Sequence, residues 1–226
     1  MQHSIPILAS THSLTARRVF CVGRNYADHA REMGADPNRE APFFFYKPTD
    51  ALVIAPDLTR PIAVPYPPMT QNLHYEVEMV IALGKGGADI AVEQAMDCVL
   101  GFALGLDLTR RDLQNAAKAL GQPWDMAKGF DHSAPISPIL PLTAAGDFGA
   151  WDIALSLDGV IKQQGSIRQM IWSVPEIIAQ LSRYVRLATG DLIFTGTPAG
   201  VGPMERGQTM AARLGPELRL ALVVEG

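Results

Sequence analysis

At 226 residues the chain is long enough for a well-cored domain, and with 48% hydrophobic and 19% charged residues it reads as globular rather than disordered. A net charge of -4 argues against nucleic acid as a partner, and no apolar run approaches the roughly 20 residues of a membrane span. Ile5-Pro6-Ile7-Leu8-Ala9 is too short for a signal-peptide core, and Arg17 and Arg18 follow it instead of preceding it. Cys21 and Cys98 lie in apolar surroundings without a spaced cluster, so they read as buried thiols in a reducing cytoplasm.

Along the chain, Arg18 to Gly23 reads as a first strand, followed by a short helix from Tyr26 to Met33 that Gly34 can close. The polar, Pro- and Asn-containing stretch from Gly34 to Ala41 reads as a mobile loop. The run from Leu73 to Ile81 is a strand, and a helix follows from Val92 to about Val99. An apolar run from Val99 to Leu106 ends at Asp107. Another helix begins after Thr109 as N-cap and stops at Gly121. Ala154 to Ile161 is a hairpin with an Asp-Gly turn, Ser173 to Glu176 is a capping box opening a buried helix, and Leu218 to Val224 is a last strand. There is no repeat and no linker, so a single domain over 1–226 is expected, with 1–17 as an N-terminal extension and 18–226 as the core. Strands outnumber helices without strict βαβ alternation, which predicts an α+β, mostly β fold with short peripheral helices.

Three acidic residues stand out. Alternation along the Leu73–Ile81 strand points Glu76 and Glu78 the same way, about 6–7 Å apart at their Cα atoms. At ~6 Å two carboxylates repel by roughly 3 kcal/mol at an effective dielectric near 20. Such a pair either faces solvent or is drawn together by a cation. With Asp107 it would leave about half of an octahedral shell open, and an all-oxygen set selects Mg2+ or Mn2+ over zinc. His74 shares the glutamates' face, as a ligand, a donor behind them, or a packed ring. His29 and Glu32, three apart on one helix, form either an exposed pair or an oriented general base. Lys128, among Trp124 and Phe130, either snorkels or pairs with an anionic substrate. The Gly-rich turn from Thr195 to Gly202 lacks the ending of a phosphate loop but offers backbone N–H groups to a carboxylate or oxyanion.

Together these stretches, Cys21 to His29, Leu73 to Glu78, Asp107 to Gln114, the Lys128 loop, Met170 to Ser173 and Thr195 to Gly202, resemble the fumarylacetoacetate hydrolase family, most of all its short acylpyruvate hydrolase members. The resemblance implies a mixed β-roll of the family's C-terminal-domain type, a single catalytic domain and a homodimer. It implies Mg2+ or Mn2+ on Glu76, Glu78 and Asp107, with His29 and Glu32 activating water and Lys128 stabilising charge. Arg24, Arg111, Gln114, Lys128 and Thr197 match positions that face the substrate in similar proteins. The extra N-terminal domain of longer members has no counterpart here, which favours a 2,4-dioxo acid smaller than fumarylacetoacetate.

The implied activity is hydrolysis of the C–C bond of acylpyruvates such as fumarylpyruvate or acetylpyruvate, a hydrolase acting on ketonic substances, as in aromatic catabolism. Oxaloacetate decarboxylation uses the same site without an attacking water, and 2-oxo-acid isomerase or hydratase chemistry is a further alternative. From another class, a non-catalytic metal-dependent carboxylate binder would need neither His29 nor Glu32. No nucleic-acid or membrane partner is expected.

Overall fold

A strand that no water reaches, Val77–Leu83, divides the protein's apolar interior in two. The computed structural model describes residues 3–32 and 40–225. Val77, Met79, Ile81 and Leu83 face one core, while Val80 and Ala82 face another, as period-two alternation requires. The strand lies inside a mixed sheet running, in order, Phe43–Lys47, Arg18–Gly23, Asp191–Phe194, Val77–Leu83, Val99–Leu106, Ala134–Ile136 and Leu52–Ile54, with Leu140–Pro141 also beside Val99–Leu106. Two of its pairings are parallel: Arg18–Gly23 with Asp191–Phe194, and Ala134–Ile136 with Leu52–Ile54.

The larger core joins this sheet to a second of five strands, in the order Val160–Ser166, Asp152–Leu157, Thr209–Leu214, Leu218–Glu225 and Ile62–Pro65. The helix Val174–Tyr184 closes the same core through Ile177, Ile178 and Leu181. The other face is covered by Ile5 and Leu14 of an N-terminal pair of short strands, Ser4–Pro6 and Ser13–Thr15. The mostly β architecture expected from the sequence is the one observed. Among the described residues, no helix is long and apolar enough to cross a membrane.

Local chemistry explains the elements. Asp158 and Gly159, at φ 47° and 80°, make the expected hairpin turn, where both central positions need a positive φ. Ser173 and Glu176 form the expected capping box. Gly121, at φ 63°, ends the helix Arg111–Leu120.

Four expectations are corrected. Val92–Cys98 winds as a 3-10 helix, with Ala91, which has no side-chain acceptor, preceding it. Thr109 is not a helix cap: it lies in the two-residue strand Thr109–Arg110 and donates its hydroxyl to Asp107 O. The carboxylate of Asp112 instead ties that helix start down, accepting from Thr70 Oγ1, Gln71 N and Leu113 N. The Lys128 segment is a short helix, Asp125–Lys128, rather than a loop. The expected strand Leu73–Ile81 is two strands, broken at Glu76. The first helix spans Ala27–Glu32; its expected last residue, Met33, its stop at Gly34 and most of the expected loop to Ala41 lie outside the described residues.

Two turns reach the site from parallel strands that end side by side, Cys21 being registered with Phe194. Asn25, fully buried, ties them together: its Nδ2 donates to Thr195 O (2.8 Å) and Trp172 O (3.0 Å), and its Oδ1 accepts from Trp172 N (2.7 Å). Asn25→Ala strips three backbone groups of this partner, that of Thr195 fully buried and those of Trp172 partly so, and is expected to cost about 3 kcal/mol. Urea unfolding should show a lower midpoint at an unchanged slope.

Candidate active site

The break at Glu76 is where the chain changes sheets. Leu73–Tyr75 pairs with Thr109–Arg110 and Gly202–Pro203, whereas Val77–Leu83 pairs with Val99–Leu106 and Asp191–Phe194. Val77 is registered with Leu106, so the next residue out, Asp107, meets Glu76 across the ladder; Asp107 N donates to Glu76 O at 2.9 Å. Glu78 lies opposite Gly105, where a Cβ would come within 2.6 Å of the Phe194 ring. A glycine there leaves room for the Phe194 ring.

Glu76, Glu78 and Asp107 are all buried, and one oxygen from each lies within 4.8 Å of the others. That excludes the solvent-facing reading of the glutamate pair. His29, Arg24, Arg111, Gln114, Lys128 and Thr197 line the same cavity, with Phe43, Phe45, Lys118, Trp124 and Gly196 completing its wall. The sequence-predicted residues therefore converge. Glu32 stands behind His29, its Oε2 3.2 Å from Nδ1, and accepts from Gly200 N at 3.1 Å. His74 is not grouped with the three carboxylates. Its Nδ1 accepts from Arg111 Nε at 3.3 Å and its Nε2 pairs with Asn72 Oδ1 at 2.9 Å. Burial, then the Arg111 guanidinium, pulls its pKa down to about 4, as suits a neutral ring that steadies a cation.

Cations hold the carboxylates. Lys128 Nζ donates to Glu76 Oε2 (2.8 Å) and Asp107 Oδ2 (2.7 Å), and the Arg111 guanidinium donates to Glu76 Oε1 and Gln114 Oε1. Burial alone would raise the Glu76 carboxyl; Lys128 and Arg111 overcome it and hold that group well below the usual carboxylate range. Among the described residues, Glu78 forms no ion pair and accepts from Gly196 N at 2.7 Å. Burial, then Asp107 and Glu76, push its carboxyl well above the ordinary range.

Lys47, 1% exposed, sits beneath the site and was not foreseen. Its Nζ donates to Leu108 O at 3.1 Å and to Lys128 O. It also lies 2.8 Å from Asp107 Oδ1, but at an angle that makes no hydrogen bond, so that buried oxygen lacks a hydrogen-bond partner. Its signal was present: Phe43, Phe45 and Lys47 share one face of their strand. Gln163 was also missed. Its Oε1 accepts from Val77 N and its Nε2 donates to Thr197 Oγ1, coupling the broken strand to the Gly-rich turn, a link no spacing reveals.

The donor set fits a divalent ion: three clustered carboxylates with, among the described residues, one buried oxygen that accepts no hydrogen bond and one glutamate in no ion pair, all hard oxygen ligands of the kind Mg2+ and Mn2+ take.

A mixed β-roll that gathers carboxylates and cations in one buried cavity suits metal-assisted enzymes working on small anions. Residues 18–223 match the family model described as fumarylacetoacetate (FAA) hydrolase C-terminal, and the chain belongs to that enzyme family. It is 45% identical over 196 residues to the mitochondrial oxaloacetate decarboxylase of Dictyostelium discoideum (87% of this chain, 88% of that one). With the mitochondrial oxaloacetate tautomerase FAHD1 of Mus musculus it shares 41% over 210 residues (91% and 92%). Among solved structures, a fumarylpyruvate hydrolase from Pseudomonas aeruginosa in complex with Mn2+ and pyruvate is similar at TM-score 0.93 and 48% identity, covering 100% of this chain and 97% of the other.

The raised Glu78 carboxyl sets a pH dependence for protein treated with EDTA. Stability from this group is full below the ordinary carboxylate range and is lost as pH rises through the raised value. Glu76 acts in the opposite sense and in a lower window, since its stability is lost only as pH falls below that range. Denaturant stability, wild type relative to Glu78→Gln, should therefore fall as pH rises from the ordinary carboxylate range toward the raised value. Mg2+ should reverse the fall, stabilising by about 2.7 kcal/mol at a hundredfold excess over its Kd. A pH-independent difference between the two proteins would contradict the assignment.

Proposed function

We propose that this chain is a divalent-metal-dependent hydrolase that cleaves the C–C bond of acylpyruvates, fumarylpyruvate or acetylpyruvate, to pyruvate and a carboxylic acid. One observation carries the reading: His29, backed by Glu32, stands on the wall of the cavity that holds the three carboxylates. Gly200 N fixes the Glu32 carboxylate, and Glu32 accepts the Nδ1 proton of His29, a tautomer assigned from this hydrogen bond. Nε2 is then free to take a proton from water.

The hydroxide so formed adds to the carbonyl distal to the 2-oxo group. The adduct collapses by breaking the bond to the neighbouring carbon, and the electron pair leaves as the enolate of pyruvate. Protonation of the enolate gives pyruvate, while the acyl group departs as the carboxylic acid. A divalent ion, Mg2+ or Mn2+, held by Glu76, Glu78 and Asp107 would supply Lewis-acid polarisation of the 2-oxo group. Lys128 and Arg111, already directed into the carboxylate cluster, place positive charge where the enolate oxygen develops. Gln114, Thr197 and Arg24 line the rest of the cavity and orient the substrate. The Mn2+ and pyruvate named with the Pseudomonas aeruginosa hydrolase support both the cofactor and the product. Cys21 and Cys98, both buried and unpaired, fit a reducing cytoplasm.

A second reading draws on the relatives, several of which are named oxaloacetate decarboxylase or tautomerase. Loss of CO2 from oxaloacetate yields the same pyruvate enolate and needs no attacking water, so it draws on Lys128 and Arg111 but not on the base.

His29→Ala separates the two. Acylpyruvate hydrolysis should lose at least ~10² in kcat, the range of a general base, while oxaloacetate decarboxylation falls far less. Both rates can be followed by the loss of enol absorbance with Mg2+ present. Wild-type hydrolysis in this variant would remove His29 from the role.

A further inference from the structure

The cations of the cavity fall into two groups. Lys47, Arg111 and Lys128 are paired with Glu76 or Asp107. Arg24 and Lys118 are not: among the described residues, neither forms an ion pair with a carboxylate. Both lie on the aromatic part of the wall. Arg24 Cζ is 5.5 Å from the Phe43 ring centre and Lys118 Nζ is 5.4 Å from that of Trp124, and these two rings meet edge-on at 5.4 Å. Arg24 is held at φ 59°, a left-handed conformation that costs an arginine energy and persists where its surroundings fix it.

Lys118 belongs to the helix that supplies Arg111 and Gln114. The spacing 111, 114, 118 puts all three on one face, toward the cavity. At 1.5 Å per residue, the Cα of Lys118 stands about 10 Å along the helix axis from that of Arg111. Burial, then Arg111 and Arg24, push the Lys118 ammonium below its ordinary value, so it sits in a field of like charge. The four cationic side chains of the wall, Arg24, Arg111, Lys118 and Lys128, outnumber its three carboxylates, and a divalent ion widens the excess. One substrate carboxylate does not balance that excess.

We propose that Lys118 and Arg24 form a second anion subsite, selecting 2-oxo acids that carry another carboxylate several bonds beyond the oxo group. The inference rests on the 2-oxo-acid reading above and deepens it. Oxaloacetate, with its two carboxylates separated by two carbons, presents both charges close together at the inner end. An extended dicarboxylate of the fumarylpyruvate kind reaches, and its flat conjugated middle lies along Phe43 and Trp124. Acetylpyruvate fills the inner end alone.

Two uncleavable acids of equal chain length isolate the distal charge: 2-oxoadipate and 2-oxohexanoate. Calorimetric titration of the full chain with Mg2+ should show 2-oxoadipate binding about tenfold tighter or more, the worth of a charge-assisted hydrogen bond. In Lys118→Gln the ratio should collapse toward one, and in Lys118→Arg most of it should survive. Equal binding of both acids to the wild type overturns the subsite but leaves the 2-oxo-acid reading standing. So does a ratio that Lys118→Gln leaves intact, or an equal weakening of both acids by that variant. Binding of neither acid overturns both.

Discussion

Three carboxylates confined within 4.8 Å of one another, away from water, are the feature around which the rest is arranged. At an effective dielectric near 20, two unit charges at that separation repel by about 3 kcal/mol, and desolvation adds to the cost of each. The chain offsets this unevenly. Glu76 and Asp107 are paired with Lys47, Arg111 and Lys128, whereas among the described residues Glu78 forms no ion pair and accepts from a backbone N–H. The asymmetry has a chemical consequence. A cluster fully neutralised by its own side chains would have no use for a divalent ion, and one with no cations at all would not tolerate burial.

The fold keeps such a cluster together by making its members neighbours in the backbone ladder. Glu76 and Asp107 face each other across paired strands, and Glu78 follows two residues on, on the same side. Glu76 sits where the chain leaves one sheet for another, so its carboxylate comes from an interruption in the ladder. The turn after Phe194 and the turn after Gly23 arrive from parallel strands and are joined by Asn25. These connections are to backbone atoms, which do not rotate away, and so they fix positions better than side-chain pairs do.

What the sequence disclosed follows from this. Residues whose meaning depends on local spacing were legible: the alternating Glu76 and Glu78, the three-residue step from His29 to Glu32, the Asp-Gly turn and the capping box at Ser173. Asp107 was grouped with the two glutamates from its place at the end of an apolar run, but its pairing with Glu76 depends on strand register, which no local spacing discloses. Lys47, Gln163 and Asn25 were missed because nothing adjacent to them in sequence shows what they meet in space. Thr109 misled for the opposite reason. Its hydroxyl has the chemistry of a helix cap, but Thr109 lies in a short strand of its own, Thr109–Arg110, and Asp112 does that work from inside the helix.

On the proposed reading, hydrolysis, decarboxylation and tautomerisation share one demand, an enolate held among positive charges. Arg111 and Lys128 meet that demand in every case, so they cannot decide which reaction runs. The decision falls to groups at the edge of the cluster. His29 determines whether a water can be activated, and the cationic, aromatic outer wall determines which acids extend far enough to be held for attack. Relatives with different named activities can therefore keep the same inner site and diverge through residues such as Lys118, two helical turns along from Arg111. Substrate preference in this chain is then best sought along the helix face that runs outward from Arg111.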